Sequence, residues 1–447
     1  MRIKQRELFN QYGPLLGQLA AFLIPLKLTA VYIPLVPLLL IWIVEKSGSC
    51  GTAVKAGGTA LIALIIFLGW LIVSSFFGIN VAHSFIEATT YAPYILVVFA
   101  FYELSRLGYA LRILLALATG QSIAGIHTIA AALTPVALPE IFLGAVTEGG
   151  QCAVILPVVA ALIIFYAHKT GLRWQMGLLE SLTILFYATI IFIIFFGLKP
   201  GSSLSGNLLF LWLLIIAVLF GRTLYNKFKD SSEHGYFYLY SNLLFPVITL
   251  ALILNLKRGP WLGAICGLAV IFFSYSKRMA ITSVLLIVAA LFIFTPTRQR
   301  IVHSMDHFFV PGGRSSIWQV GIELATKYPL GIGYENASVL RKFDPQIPPE
   351  LRHFHSNPIN IMVESGWIGL AIYFWWIFSV IKLGLSLKHR QGPATIVTGI
   401  SCAFLSWQVA GLVEYNFGDS EIYLMVLILL GVFISSIEKI ADKTSHV

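Results

Sequence analysis

Apolar runs of roughly 15 to 22 residues recur from Gly13 to Ile437, separated by short polar knots. Each run is near the ~20 residues that carry a helix across ~30 Å of hydrocarbon. Lipid offers the backbone no hydrogen-bond partners, so such a chain crosses as helices or as a closed barrel, and these runs lack the alternation of barrel strands. The expected fold is an all-α polytopic membrane protein. Only 11% of the 447 residues are charged and 58% are hydrophobic, whereas a soluble domain carries about 25% charged residues. No polar stretch is long enough for a separate globular domain of usual size.

The net charge of +10 comes from cations scattered singly between apolar runs. There is no basic stripe, so no nucleic-acid partner is expected. Orientation accounts for most of them, because positive residues near helix ends mark the cytoplasmic side. Arg2, Lys4 and Arg6 then lie inside, with Lys46, Arg106, Lys169, Lys277, Arg278, Lys388 and Lys439. Hydropathy gives about 14 crossings with both termini cytoplasmic. The first run has no small-residue cleavage signal after it and reads as retained. Cys50, Cys152, Cys266 and Cys402 are far apart and read as packing residues rather than a metal or redox pair.

Lys27, Lys199, Lys257 and Arg258 fall on the opposite side and need another reason. Snorkelling to lipid headgroups suits Lys27 and Lys199, which are also candidates for gathering an anionic substrate. Arg258 stands in "NLKRGPWLG", at a sharp break between two helices. Free N–H groups beside a guanidinium favour an anion there.

The only extended polar segment, about 60 residues, runs from near Thr295 to near Asn357 on the non-cytoplasmic side. The chain divides accordingly into N-terminal membrane helices (1–295), a structured non-cytoplasmic loop (296–356) and C-terminal membrane helices (357–447), together forming one membrane domain. Within the loop, the spacing predicts an amphipathic helix from about Ser315 to Lys327, stopped by Pro329 and a "GIG" turn, with Ile317, Val320 and Leu324 facing the membrane domain. Arg314, after two glycines, is a second anion-ready position. The loop ends in "RHFHSN", where Ser356 or Asn357 can cap the next helix and Pro358 occupies its first turn. His355 therefore lies just ahead of a helix N-terminus, which disfavours an imidazolium and keeps the ring able to accept a proton. His353 lies beside it. Glu364, deeper along the same helix, is either a partner for a basic residue or part of the site, since a carboxylate there is costly unless paired.

With these residues in place, the sequence resembles the O-antigen ligase and polymerase superfamily of bacterial inner-membrane glycosyltransferases. The ligase motif is a histidine, then Asn, Ser or Gln, nine residues, and Gly-x-x-Gly. Here His355 and Ser356 precede the nine residues Asn357 to Ser365 and then Gly366-Trp367-Ile368-Gly369. "RGPWLG" at Arg258 is similar to the Ser/Thr-Arg-Gly segment, with Lys257 in place of the hydroxyl residue, and "GRSSIW" at Arg314 to the Gly-Arg-x-x-x-Trp segment. The similarity covers about 255 to 370. Leu370 and Ala371 depart from the two threonines that often come after the ligase motif.

The resemblance implies about 12 membrane helices (12 to 14 with the hydropathy count) and a fold of the multi-spanning, GT-C-like class of lipid-linked sugar transferases. It implies a reaction on the periplasmic face of the bacterial inner membrane. An O-polysaccharide moves from undecaprenyl diphosphate to a sugar hydroxyl of the lipid A core, in lipopolysaccharide biosynthesis, with inversion and without a metal or other cofactor. The residues agree with that chemistry. Charge building on a departing diphosphate needs a metal or fixed cations; the chain has no Asp-x-Asp pair, and Arg258 and Arg314 are the natural cations. His355 is the candidate base, with Lys199, Lys27, His353 and Glu364 as candidate substrate contacts. A polymerase of the same superfamily, a protein-directed oligosaccharyltransferase and a lipid-linked glycan transporter are the competing readings. A transporter should show internal repeats, and none is clear.

Overall fold

The computed structural model describes residues 8–133, 142, 144–171, 233–293, 295–303, 308–310, 313–337, 353–387 and 391–445. Every regular element among them is helical. In chain order the α-helices are α1 (Leu8–Leu23), α2 (Leu28–Lys46), α3 (Cys50–Ser75), α4 (Val81–Tyr91), α5 (Ile95–Leu104), α6 (Ala110–Leu133), α7 (Ala145–Thr170), α8 (Glu233–Leu254), α9 (Arg258–Tyr275), α10 (Lys277–Ile293), α11 (Thr295–Val302), α12 (Arg314–Lys327), α13 (Asn357–Leu385), α14 (Pro393–Ala410) and α15 (Ser420–Ser445). Eight segments among the described residues are long and apolar enough to cross a membrane. Two of them, Leu28–Ser75 and Val81–Ala132, run to 48 and 52 residues, more than twice the ~20 that one crossing needs. The expectation of 12 to 14 crossings also draws on residues 172–232, which lie outside the described residues.

The bundle is organised around α7. Every residue of that helix from Glu148 to Ala167 is buried, and α6, α8, α9 and α14 pack against it. A helix that is apolar all round belongs in a core, and small residues let its neighbours come close: Gly399 of α14 faces Ala161, and Gly267 of α9 faces Pro157. A second centre is aromatic. Phe67 of α3, Tyr373 and Trp376 of α13, Trp407 of α14 and Phe417 stack and tilt against one another with ring centroids 5.6 to 6.4 Å apart. Each such pair adds about 0.5–1.5 kcal/mol beyond its buried area. Phe417 lies in the connection between α14 and α15, so this cluster anchors that connection to the bundle.

The loop helix forms as the spacing predicts, starting one residue earlier at Arg314. Ile317, Val320 and Leu324 are buried against Phe354, Met362 and Val363. The segment from Pro329 to Gly333 is docked rather than a free turn. In a regular helix the Trp367 N–H would donate to the Val363 carbonyl; here it donates to the Pro329 carbonyl at 3.1 Å. The released Val363 and Glu364 carbonyls accept from the Ile332 and Gly333 N–H groups at 2.8 and 3.0 Å. This exchange depends on a break in α13 at Gly366, whose φ of 71° and ψ of −179° form a conformation essentially reserved for glycine. A Cβ on Gly366 would also stand 2.7 Å from Leu330 Cα. Gly366→Ala is therefore expected to cost about 3 kcal/mol or more, combining backbone strain and collision. It should lower the thermal midpoint of the detergent-solubilised protein by several degrees, and an unchanged midpoint would contradict this docking.

Candidate functional site

Three helix starts converge on the Gly411–Asp419 connection between α14 and α15. Asn357, the first residue of α13 and fully buried, is the clamp. Its N–H donates to the Gly411 carbonyl at 2.7 Å. Its side-chain Oδ1 accepts from the Asn416 and Phe417 N–H groups at 2.9 and 3.0 Å, and its Nδ2 donates to Asn416 Oδ1 at 2.6 Å. Ser356 is the N-cap residue but makes no capping bond through its side chain, so the capping expected from this pair gives way to a long-range clamp. The clamp presents Glu414, which lies between Asn416 and the α14 end, to the residue just before Ser356.

That residue is His355. Its Nδ1 lies 3.8 Å from Glu414 Oε2, within ion-pair range but beyond hydrogen-bond length, and this nitrogen is buried without a hydrogen-bond partner. The other Glu414 oxygen, Oε1, accepts from Arg314 Nη2 at 2.9 Å. Arg314 is the first residue of α12, and Arg258 the first of α9. Arg258 is near enough for the charges of Arg314, Arg300 and Glu414 to act on it, and its Nη1 donates to the Arg300 carbonyl at 3.4 Å. Gly259 lets α9 come this close, since a Cβ there would meet Glu414 Cγ and Val413 Cγ2 at 3.0 Å. No side-chain cap bond is made at any of the three N-termini, whose N-cap residues are Lys257, Gly313 and Ser356. The partial positive charge of the three first turns therefore adds to that of the guanidinium groups.

The electrostatics are set by this arrangement. Burial pushes the Glu414 carboxyl up, but the adjoining His355 ring and Arg314 guanidinium outweigh it, and the net shift is downward, so the group is ionised. Burial, helped by the neighbouring His355 ring and opposed by Glu414, lowers His353 to about 4, which keeps that ring neutral at ordinary pH. The two histidine rings meet edge to face, 4.4 Å between centroids, and His353 also lies 5.6 Å from the Tyr415 ring. His355 has a φ of 50°, the left-handed region that non-glycine residues enter rarely and that clusters at functional sites.

The structure thus brings together Arg258, Arg314, His355 and His353. Glu364 makes no ion pair with them among the described residues; it is 2% exposed at the α13 break, where the Glu335 charge acts on it and its own charge reaches Tyr415. Lys27 is exposed at the N-cap of α2, and no contact among the described residues joins it to the cluster. Lys199 lies outside the described residues. Two members have no place among the residues singled out from the sequence, Glu414 and Arg300. Glu414 sits in "GLVEYNFGD", a polar knot between apolar runs whose lone glutamate is the one signal that could have marked it. Among the described residues no three His, Cys, Asp or Glu side chains gather as metal ligands do.

Fold and cluster together define a multi-pass helical membrane protein with a set of guanidinium groups, imidazoles and one carboxylate at one end of its helices. Residues 243–374 match the family model described as O-antigen ligase. That match supports placing the chain in the O-antigen ligase superfamily, as the motifs of residues 255–370 lead one to expect. It spans Arg258, Arg314 and His355 and stops before Glu414. No curated protein matches the chain.

Proposed function

We propose that this protein is an O-antigen ligase of the bacterial inner membrane, acting at the periplasmic face. The donor is an O-polysaccharide on undecaprenyl diphosphate and the acceptor a sugar hydroxyl of the lipid A core. The observation that carries the reading is the shared carboxylate: Glu414 joins Arg314 and His355 while Arg258 faces the same point.

The chemistry is a single displacement. The acceptor oxygen bonds to the anomeric carbon as the bond from that carbon to the diphosphate oxygen breaks, which inverts the centre. The hydroxyl proton passes to His355, and the electron pair leaves with undecaprenyl diphosphate. Arg258 and Arg314 hold the diphosphate, because planar guanidinium forks bind phosphate oxygens two at a time, and Arg300 adds charge behind Arg258. Glu414 orients the imidazole: with Nδ1 turned to the carboxylate, the Nε2 lone pair is left for the acceptor. Closure of the 3.8 Å gap on substrate binding fits the common finding that catalytic hydrogen bonds tighten only in the complex. Neutral His353 lines the acceptor side. Lys27 and Lys199 help gather the diphosphate, whereas the burial of Glu364 at the α13 break argues against its direct contact with substrate.

The polymerase reading stays in play on one observation, Leu370 and Ala371 in place of the two threonines. The deciding experiment supplies purified protein with undecaprenyl-diphosphate glycan and lipid A core in the presence of a chelator. Glycan covalently attached to lipid A core supports the ligase and metal independence together. Extension of the donor with lipid A core untouched supports the polymerase, and no covalent product from either would dismiss the enzyme reading.

A further inference from the structure

At the end of α9 opposite Arg258, α9 and α10 splay apart from the turn at Ser276. Between them runs a groove of about 480 Å³, walled by Val270 and Phe273 of α9 and by Ile281, Val284 and Leu285 of α10, with Leu385 of α13 at its side. Phe273, Ile281 and Leu285 are 59%, 62% and 62% exposed, so the groove opens outward from the bundle. Its mouth is cationic. Lys277 and Arg278, both exposed, form the first turn of α10, and Lys382 is exposed one turn before Leu385. The Lys277 ammonium lies 5.6 Å above the Phe273 ring, which ties the charge to the groove wall. No ion pair among the described residues joins these three cations to a carboxylate.

We propose that this groove binds one anionic glycerophospholipid, with an acyl chain between α9 and α10 and the phosphate among Lys277, Arg278 and Lys382. Two features select that occupant. The α10 wall runs from Lys277 to Leu285, about 13 Å of helix, which is near half of the ~30 Å hydrocarbon layer and suits one leaflet's acyl chain rather than a long polyprenyl tail. Lys277 and Arg278 at the mouth and Lys382 one turn from the groove wall, with no counter-charge among the described residues, select an anionic over a zwitterionic headgroup, because basic residues beside a membrane surface draw acidic lipids. The N-terminus of α10 points its partial positive charge the same way. The site lies a full helix length from Arg258 and does not depend on which reaction the other end performs.

The test uses the full-length protein reconstituted in phosphatidylethanolamine bilayers that contain a minor amount of a phosphatidylglycerol probe with a photoreactive acyl chain. The expected result is labelling of the 270–285 hairpin. A Lys277→Ala, Arg278→Ala, Lys382→Ala triple variant should reduce it well beyond tenfold, since each such cation contributes roughly fivefold in affinity. Ile281→Trp, at a position facing outward, should block the groove and abolish labelling while the thermal midpoint stays that of the parent. Equal labelling by a phosphatidylethanolamine probe, preferential labelling by a polyprenyl phosphate probe, or labelling indifferent to the triple variant would each overturn the proposal.

Discussion

His355→Asn is expected to leave the protein folded and to lower the turnover of transfer by about 10²- to 10⁴-fold, the usual contribution of a positioned base. Asparagine is the informative replacement because the backbone at this position is left-handed, with φ at 50°, and asparagine tolerates that region better than alanine does. Alanine would mix lost chemistry with added strain. The KM for the lipid-linked donor should change little, since Arg258 and Arg314 hold the diphosphate in the proposed complex. Thermal unfolding and steady-state transfer measured on the same preparation separate the two effects. Turnover within tenfold of the parent enzyme would remove His355 as the base.

Arg314→Ala is expected to damage both stability and transfer, for different reasons that a second substitution can separate. Without the guanidinium, the Glu414 carboxylate loses its 2.9 Å partner in a site where its side chain is 16% exposed. Breaking a fully buried pair costs about 3–5 kcal/mol, and the 26% exposure of the Arg314 side chain lowers this to about 2–3 kcal/mol. Transfer should fall by about 10²- to 10³-fold, as when a fixed group that stabilises developing charge is removed. Adding Glu414→Gln should recover most of the lost stability, because no charge is then left unpaired. It should not recover transfer, because nothing replaces the fork on the departing diphosphate and His355 loses the carboxylate that orients it. Recovery of both would remove Arg314 from holding the diphosphate and Glu414 from orienting His355.

The parts of this site legible in the sequence are those set by local signals. Arg258 and Arg314 each open a helix beside a glycine or proline break, His355 precedes a helix with Pro358 in its first turn, and the apolar spacing of Ile317, Val320 and Leu324 gives α12. Glu414 is not legible, because its place beside Arg314, 100 residues away, is set by the Asn357 clamp. A side-chain amide that reaches across to another connection has no periodic signature. Arg300, in "TPTRQRIV", reads as one more scattered cation until α11 is placed beside α9. Glu364 shows the opposite case: its presence in an apolar run is visible, but the break at Gly366 and the docking of Gly333 onto its carbonyl decide its surroundings. The motif glycine is legible as a letter, and its backbone role only as geometry.

The enclosure of α7 has a consequence for how the chain comes off the ribosome. One of its flanks is sealed by α14, whose first residue is Pro393, so most of the polypeptide is made before that flank is covered. Until then the surface around Pro157 and Ala161 is bathed in lipid or held by the insertion machinery. Non-local closure of this kind is slow and leaves interim states exposed. A nascent chain cut short before α14 would be inserted yet permanently open along its middle, an easy mark for membrane proteases.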